Sequence, residues 1–293
     1  METISFTVLG PLGMSDGTDS VTLPPSKPAT LLAMLLLNVN RPVSAASLQR
    51  AMWGDYPPDS GRASLHTCVV RLRRIFATYG LSRDIIEAVP TGYRILADAS
   101  SLDLIRFREL VRTAGAARDP HDQLVLLRSA AGLWQQPILE NVGSDLVHSS
   151  EVPRLRQEWL FAVERVFDIE LATGRSPDIV AELMAVAHAN PLHERFWEQL
   201  IEALYRTGRR AEALAQYQVI KGRLCDEIGI DPGPGLQQLE LGILRGQGPE
   251  RTASAAVVLG RLTEAGLVHI DSAGQYRVDD MLAVFMSQRI AGD

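Results

Sequence analysis

The stretch "SLHTCVVRLRR", residues 64–74, decides how the first third of this 293-residue chain folds. Apolar residues recur in and just after it at the three- and four-residue spacing of an α-helix, which predicts one buried stripe. The members of this stripe are Leu65, Val69, Leu72 and Phe76. The other side of the helix is therefore expected to face away from the core.

That other side is polar and basic. It carries Ser64, Thr67, Arg71 and Arg74, while Arg73 lies on the flank and is expected to matter least. Arginines on one face of an isolated helix are more often solvated charge than a binding site. A helix also fits the major groove of DNA, where arginine pairs with guanine or holds a phosphate. The neighbouring segments are needed to choose between these interpretations.

Those neighbouring segments predict a winged helix-turn-helix. Two helices precede the stretch, with Ser26 and Ser44 as N-caps and Gly54 closing the second helix. The segment "IIEAVPTGYRIL", residues 85–96, predicts two strands joined by a turn at 90–92. In this arrangement the last helix enters the groove and the hairpin lies on the DNA backbone. The order of elements favours DNA binding over a solvated face.

A small β component is predicted before these helices. The segment "ISFTVLG", residues 4–10, alternates and is rich in β-forming residues. The segment "VTLP", residues 21–24, is expected to be its short partner after a turn.

The region from residue 98 to 246 has an almost continuous helical pattern and an internal repeat. The segments 172–183, "ATGRSPDIVAEL", and 206–217, "RTGRRAEALAQY", align through Thr-Gly-Arg triplets that lie 34 residues apart. This spacing is the tetratricopeptide period, and the alternative is a coincidence in a generic helical bundle. Paired helices of this kind offer a surface to other proteins or to a small ligand.

The last segment, 247–293, begins with a predicted linker and continues as helix, strand, turn, strand and helix. This order is the second half of a winged helix, and the alternative is a small cap packed on the helical repeats. The predicted fold is therefore mainly α with a small β component, in three parts. They are a winged helix-turn-helix DNA-binding domain (1–97), tetratricopeptide-like helical repeats (98–246), and a linker with a partial winged-helix-like tail (247–293).

The composition, with 46% apolar residues, is typical of a globular protein. Nine basic and seven acidic residues give residues 1–96 a net charge of +2, whereas the whole chain has −6. The longest apolar run is too short to cross a membrane, and a signal-peptide pattern is lacking, so we expect a cytoplasmic protein. Cys68 and Cys225 lie far apart, and the sequence has no metal-ligand spacing, nucleophile motif or dinucleotide fingerprint. We expect no disulfide, metal, cofactor or enzymatic activity.

The amino-terminal region resembles a known family through four segments: "FTVLGPLGMSDG", "LLAMLLLNVNRPVSAASLQRAMWGDYPP", "LHTCVVRLRRIF" and "VPTGYRI". Together they are similar to the DNA-binding domain of the Streptomyces antibiotic regulatory proteins. The resemblance implies that the "RLRR" helix is the recognition helix and that the hairpin is a wing. The expected DNA-binding residues are Arg62, Ser64, Thr67, Arg71, Arg74, Thr91, Gly92, Tyr93 and Arg94. One departure is Lys27, which is followed by Pro28 where many relatives have a Lys-Gln-Arg-like run.

The segment 223–244, "RLCDEIGIDPGPGLQQLELGIL", resembles the bacterial transcriptional activator domain of the same family. This resemblance implies dimerisation, at least on DNA, and contact with RNA polymerase holoenzyme. The tail resembles the end of the ATPase module of large family members, although no GxxxxGK[ST] motif occurs in these 293 residues. We therefore expect an activator of an antibiotic biosynthetic cluster that binds direct repeats in double-stranded promoter DNA. The alternative is an effector-sensing or interaction protein whose winged helix serves docking.

Overall fold

The computed structural model describes residues 4–15, 20–80 and 82–246, together with the strands 268–270 and 276–278. The chain forms two compact units, Met1–Ile179 and Val180–Asp293. Within the described residues, none of the helices is both long enough and apolar enough to span a bilayer.

A three-stranded antiparallel sheet begins the first unit. Its strands are β1 (Ser5–Thr7), β2 (Gly13–Ser15) and β3 (Ser20–Thr22), in the order β1-β2-β3. The first predicted strand is confirmed, but the prediction that residues 21–24 would be its partner is wrong. These residues pair with β2, which lies between them and β1, with Met14 opposite both Phe6 and Val21.

Three helices follow as predicted: α1 (Lys27–Leu37), α2 (Ala45–Trp53) and α3 (Gly61–Thr78). The hydroxyl of Ser26 accepts a hydrogen bond from the N–H of Ala29, which confirms it as the N-cap of α1. The hydroxyl of Ser44 accepts one from the N–H of Ser47 and caps α2 in the same way. Every residue of α1 from Pro28 to Leu37 is buried, so this helix is the centre of the winged-helix core.

A second small sheet completes the winged helix. It contains β4 (Val43–Ser44), β5 (Ile86–Val89) and β6 (Gly92–Ile95), in the antiparallel order β4-β6-β5. The predicted hairpin of β5 and β6 is confirmed. The ring of Phe6 in the first sheet packs edge-on against that of Phe76 on α3, with 5.6 Å between the ring centres.

Three further helices belong to the same compact unit. They are α4 (Asp103–Ala116), α5 (Pro120–Ala131) and α6 (Val152–Ala172), and α5 packs against both of the others. The guanidinium of Arg108 on α4 makes two hydrogen bonds, of 2.8 and 2.7 Å, to the carboxylate of Glu158 on α6. This bidentate pair connects the first helix of the group to the third.

The side chains of Asp103 on α4 and of Asn141, between α5 and α6, bind backbone groups next to the strands of the first sheet. The carboxylate of Asp103 accepts hydrogen bonds from the N–H groups of Val8 and Leu9, at 2.9 to 3.0 Å. The amide of Asn141 accepts from the N–H of Leu12 at 2.7 Å and donates to the carbonyls of Leu12 and Leu23, at 2.9 and 2.7 Å. The compact unit therefore continues past residue 97, and the predicted division into three domains stays a prediction.

The helices that follow are α7 (Ser176–Ala189), α8 (Glu194–Arg206), α9 (Arg210–Arg223) and α10 (Pro234–Arg245). In the second unit α8 packs against both α9 and α10. The side chain of Trp197 on α8 is completely buried, and the guanidinium of Arg223 lies 5.5 Å from the centre of its ring. Helix α8 is thus the core of this unit.

The two Thr-Gly-Arg triplets form the same turn at the ends of α6 and α8. In each, the threonine hydroxyl donates to the carbonyl four residues earlier, Ile169 or Ala203, at 2.9 and 3.0 Å. Each glycine has a positive φ, +82° at Gly174 and +78° at Gly208, as helix C-terminal glycines commonly do. The sequence repeat is therefore a repeat of helix ends, and a tetratricopeptide assignment stays a prediction.

In the tail the structure describes two antiparallel paired strands, β7 (Val268–Ile270) and β8 (Tyr276–Val278). These strands agree with the predicted strand pair. The predicted linker and the two predicted helices of the tail lie outside the described residues.

Candidate nucleic-acid interface

The two sides of α3 have opposite character. The four predicted stripe residues are at most 1% exposed: Leu65, Val69, Leu72 and Phe76. The residues of α3 that were expected to bind DNA are exposed, apart from Ser64, which is half-buried: Arg62, Thr67, Arg71 and Arg74. Because α3 contains no aspartate or glutamate, its exposed side carries an uncompensated positive charge along the helix.

The two small polar residues of α3 already make hydrogen bonds within or beside the helix. The hydroxyl of Thr67 donates to the carbonyl of Ala63 at 3.0 Å, and that of Ser64 lies 3.4 Å from the hydroxyl of Ser60. Both hydroxyl oxygens keep lone pairs that can accept a hydrogen bond from a base amino group. Thr67 also presents a methyl group, which suits contact with the methyl of thymine.

The three arginines at the end of the opening stretch have different surroundings. Arg71 and Arg74 are exposed, whereas Arg73 is half-buried. The Nη2 of Arg73 donates to the carbonyl of Ile86 on β5 at 2.6 Å. Arg73 therefore connects α3 to the hairpin, a role that its flanking position in the sequence did not reveal.

The turn of the hairpin is built around Thr91 and Gly92. Thr91 is exposed, and its carbonyl accepts a hydrogen bond from the N–H of Ala45 at 2.9 Å. A Cβ atom on Gly92 would lie 2.0 Å from the carbonyl oxygen of Val43, so a side chain cannot be accommodated there. The predicted site residue Gly92 is thus required by the close approach of β4 to β6, and only its backbone is available to DNA.

The remaining wing residues are held by neighbours. The hydroxyl of Tyr93 lies 3.5 Å from Nδ1 of His66 on α3. The guanidinium of Arg94 forms an ion pair with Glu87, with 3.0 Å between Nε and Oε2, and each side chain is 35% exposed. The structure therefore brings Tyr93 of the hairpin close to α3, whereas the charge of Arg94 is already compensated by Glu87.

Two residues outside the predicted DNA-binding set lie on or near α3: His66, which sequence analysis missed, and Lys27, which it noted only as a departure from relatives. His66 is exposed on α3, and the ammonium of Lys27 donates to the carbonyl of Met52 at the end of α2. Burial raises the pKa of the Cys68 thiol, and the nearby charges of Arg71 and Lys27 only partly oppose the rise. The thiol is therefore protonated at neutral pH. Among the described residues, no three His, Cys, Asp or Glu side chains come together in a way that could hold a metal ion.

Two family models match the chain in this order. The model described as "Transcriptional regulatory protein, C terminal" matches residues 19–95, and "Bacterial transcriptional activator domain" matches residues 102–244. The chain is also 36% identical to the transcriptional regulatory protein EmbR of Mycobacterium tuberculosis, over 91% of this chain and 69% of that protein. The regulatory protein DnrI of Streptomyces peucetius is 30% identical, over 87% of this chain and 100% of DnrI.

The chain belongs to the Streptomyces antibiotic regulatory protein family of transcriptional activators. A solved structure supports the family's fold for this chain: M. tuberculosis EmbR in complex with a low-affinity phosphopeptide. It has a TM-score of 0.79 and 32% identity, and the match covers 95% of this chain and 78% of that one. The family member described here thus has the predicted fold class, a winged helix followed by a helical activator domain.

Proposed function

We propose that this family member binds double-stranded promoter DNA at direct repeats and activates transcription of an antibiotic or other secondary-metabolite gene cluster. Helix α3 enters the major groove, the hairpin turn lies on the DNA backbone, and two copies of the chain bind adjacent repeats as a homodimer. The activator domain contacts RNA polymerase holoenzyme. The protein works in the cytoplasm, on the nucleoid, and has no enzymatic activity of its own.

The observation that carries this proposal is the charge of α3. The chain as a whole is acidic, with a net charge of −6, yet this helix has three exposed arginines, Arg62, Arg71 and Arg74, and no acidic residue. A positive surface on an acidic protein attracts DNA phosphates at that surface, while the negative charge elsewhere on the molecule is repelled by DNA. The buried stripe on the opposite side fixes which residues this surface presents.

Arg71 and Arg74 are suited to different contacts within that surface. Both guanidinium groups are exposed, and neither makes a hydrogen bond or ion pair within the described residues. A free planar guanidinium can make two hydrogen bonds to guanine or to a phosphate. Arg71 lies closer to the middle of α3 and is assigned here to a base, and Arg74, one turn nearer the carboxyl end, is assigned to a phosphate.

The substitution Arg71→Ala tests this assignment. If Arg71 contacts a base, the variant loses about 1–3 kcal/mol of binding free energy on its operator and discriminates less at one position. Fluorescence anisotropy titrations with promoter DNA at several salt concentrations provide the measurement. The same variant should also lose activation in run-off transcription with RNA polymerase holoenzyme.

The matched control is Arg112→Ala, which removes an exposed arginine from α4 in the same compact unit. It should bind the operator as the unchanged protein does. Equal affinity of Arg71→Ala and the unchanged protein would contradict the assignment of Arg71. Weak binding that does not depend on DNA sequence would instead favour the alternative function, a helical interaction or effector-sensing protein with a docking winged helix.

A further inference from the structure

The recognition helix and the wing are connected by the side chain of Arg73. Its Nη2 donates to the carbonyl of Ile86 at 2.6 Å, across 13 residues of chain. A hydrogen bond from a charged donor is stronger than one between neutral groups, and this one is partly shielded from water. The contact therefore restrains the position of β5 relative to α3.

The carbonyl that Arg73 binds is on the outer edge of the sheet. The N–H of Leu96 donates to the carbonyl of Ile85 at 3.1 Å, while Ile86 is opposite Ile95. Because hydrogen-bonded and non-bonded pairs alternate along an antiparallel ladder, the Ile86 carbonyl points away from β6. Strand β5 is at the end of the order β4-β6-β5, so Arg73 occupies a position that another strand would fill.

A second contact between helix and hairpin lies near the turn. The Nδ1 of His66 is 3.5 Å from the hydroxyl of Tyr93, which is next to Gly92. His66 and Arg73 are seven residues apart, which corresponds to about 10 Å along a helix. Helix α3 therefore contacts the hairpin at two separated points, near its turn and at its base.

The surroundings of Arg73 distinguish it from the exposed arginines of the same helix. Its Nε atom is buried and has no hydrogen-bond partner among the described residues. Leaving a buried donor without a partner has a free-energy cost, and a long cationic side chain ordinarily avoids it by extending into water. The guanidinium of Arg73 instead remains directed at Ile86.

We propose that Arg73 is a positioning residue for DNA recognition, which sets the wing at the angle at which α3 and the hairpin turn contact the same stretch of DNA. This inference rests on the proposed DNA-binding function and goes beyond it. Arg73 acts through the hairpin and makes no contact with DNA itself.

The test uses the full chain with two substitutions, Arg73→Met and Arg73→Lys. In the absence of DNA, Arg73→Met should speed amide hydrogen exchange in the hairpin 86–95 while leaving that of α1 unchanged. Its affinity for promoter DNA should fall about tenfold. Arg73→Lys keeps the charge and a hydrogen-bond donor. Its hairpin exchange rate and its affinity for DNA should therefore be close to those of the unchanged protein.

The salt dependence separates positioning from direct contact. The residues of the hairpin turn are uncharged, and Arg94 is paired with Glu87. Moving the wing therefore takes no positively charged side chain away from a DNA phosphate. The slope of log affinity against log salt should therefore be the same for Arg73→Met and the unchanged protein. By comparison, the slope for Arg74→Ala should decrease by about one, as expected for a lost phosphate contact.

Several results would overturn the inference. For Arg73→Met, they are a reduced salt slope, an affinity for DNA equal to that of the unchanged protein, or an unchanged rate of hydrogen exchange in the hairpin. For Arg73→Lys, the contradicting result is a folded variant that binds DNA as weakly as Arg73→Met. If Arg73→Met does not fold, Arg73→Lys decides through its own exchange and affinity. Failure of the unchanged protein to bind DNA specifically would overturn the proposed function, and the exchange measurement without DNA would still report on the link between Arg73 and the hairpin.

Discussion

The carboxylate of Asp103 is a half-buried charge at the junction of α4 and the first sheet. It accepts hydrogen bonds from the backbone N–H groups of Val8, Leu9 and Leu104. Burial raises the pKa of Asp103 to about 6, and the three backbone donors lower it only in part. The charge therefore forms within the pH range of ordinary stability measurements.

The sign of the resulting pH dependence is unusual for an aspartate. Its pKa in the unfolded chain is about 3.9. Between pH 4 and pH 6 the folded protein holds a proton that the unfolded chain releases, so this residue makes the free energy of unfolding fall as the pH rises. The contribution is at most about 3 kcal/mol.

Asp103→Asn isolates this contribution, because asparagine does not titrate. We expect the difference in unfolding free energy between the unchanged protein and the variant to fall across pH 4 to 6, as measured by urea unfolding. The control is Asp98→Asn. Hydrogen bonds from Ser100 and Ser101 lower the pKa of the exposed Asp98, so its contribution is instead lost as the pH falls. A difference that rises from pH 4 to 6 for Asp103 would contradict the expected sign.

For single residues, the sequence predicted which side chains are exposed better than it predicted their hydrogen-bond partners. The helical spacing was sufficient to place Arg71 and Arg74 on the exposed side of α3. It could not predict the bond from Arg73 to Ile86, since that acceptor is a backbone carbonyl with no sequence signal. The pair of Arg94 and Glu87 could have been found, because a turn between Val89 and Gly92 places residues 87 and 94 opposite one another.

At the scale of elements, helices were predicted more accurately than strands. The caps of α1 and α2 have clear side-chain signals, whereas β2 consists of Gly13, Met14 and Ser15, which do not favour a strand. This strand forms because β1 and β3 pair with it on both sides. Pairing of that kind depends on distant segments and is not visible in the local pattern.

The start of α10 explains part of the family-like segment "GIDPGPGL", residues 229–236. The N–H of Gly233 donates to a carboxylate oxygen of Glu194 on α8 at 2.6 Å. A Cβ atom on Gly235 would lie 2.0 Å from a carboxylate oxygen of Glu198. Two acidic residues of α8 thus approach the positive end of α10, and the glycines allow them to do so.

Substitution of Glu194 should weaken the attachment of α10. Glu194→Gln removes the charge at the helix N-terminus and is expected to cost about 1 kcal/mol in unfolding free energy. Urea unfolding of the full chain, followed by tryptophan fluorescence, gives the measurement. The control Glu212→Gln breaks an exposed pair with Arg209 and should have little effect. Equal effects of the two substitutions would contradict a specific role for Glu194.

For the whole molecule, the sequence predicted the order of parts more accurately than their packing. The winged helix and the helical region appear where the pattern placed them. The extension of the first compact unit to Ile179 was not predicted, because Asp103 and Asn141 bind backbone atoms of the first sheet. Backbone acceptors and donors are present at every residue and therefore leave no recognisable motif.

Truncation tests how far the winged helix depends on the helices that follow it. A fragment of residues 1–97 lacks Asp103, Asn141 and Ser144, whose side chains bind the backbone of the first sheet and of Ala51. Losing these hydrogen bonds costs several kcal/mol, so the fragment should melt at least about 10 °C below a fragment of residues 1–179. Circular dichroism measures both transitions. Equal melting temperatures would show that the winged helix folds independently.

The side chain of Asn141 acts as a substitute for a peptide group. A primary amide offers one carbonyl and one NH₂, the same pair of functions that a residue of a neighbouring strand would present to Leu12. The first sheet is thus extended at Leu12 by a side chain that lies 129 residues away in sequence. An aspartate in its place could accept from Leu12 but would have no proton for the carbonyls of Leu12 and Leu23. The need for both a hydrogen-bond donor and an acceptor, more than the shape of the side chain, therefore favours asparagine at position 141.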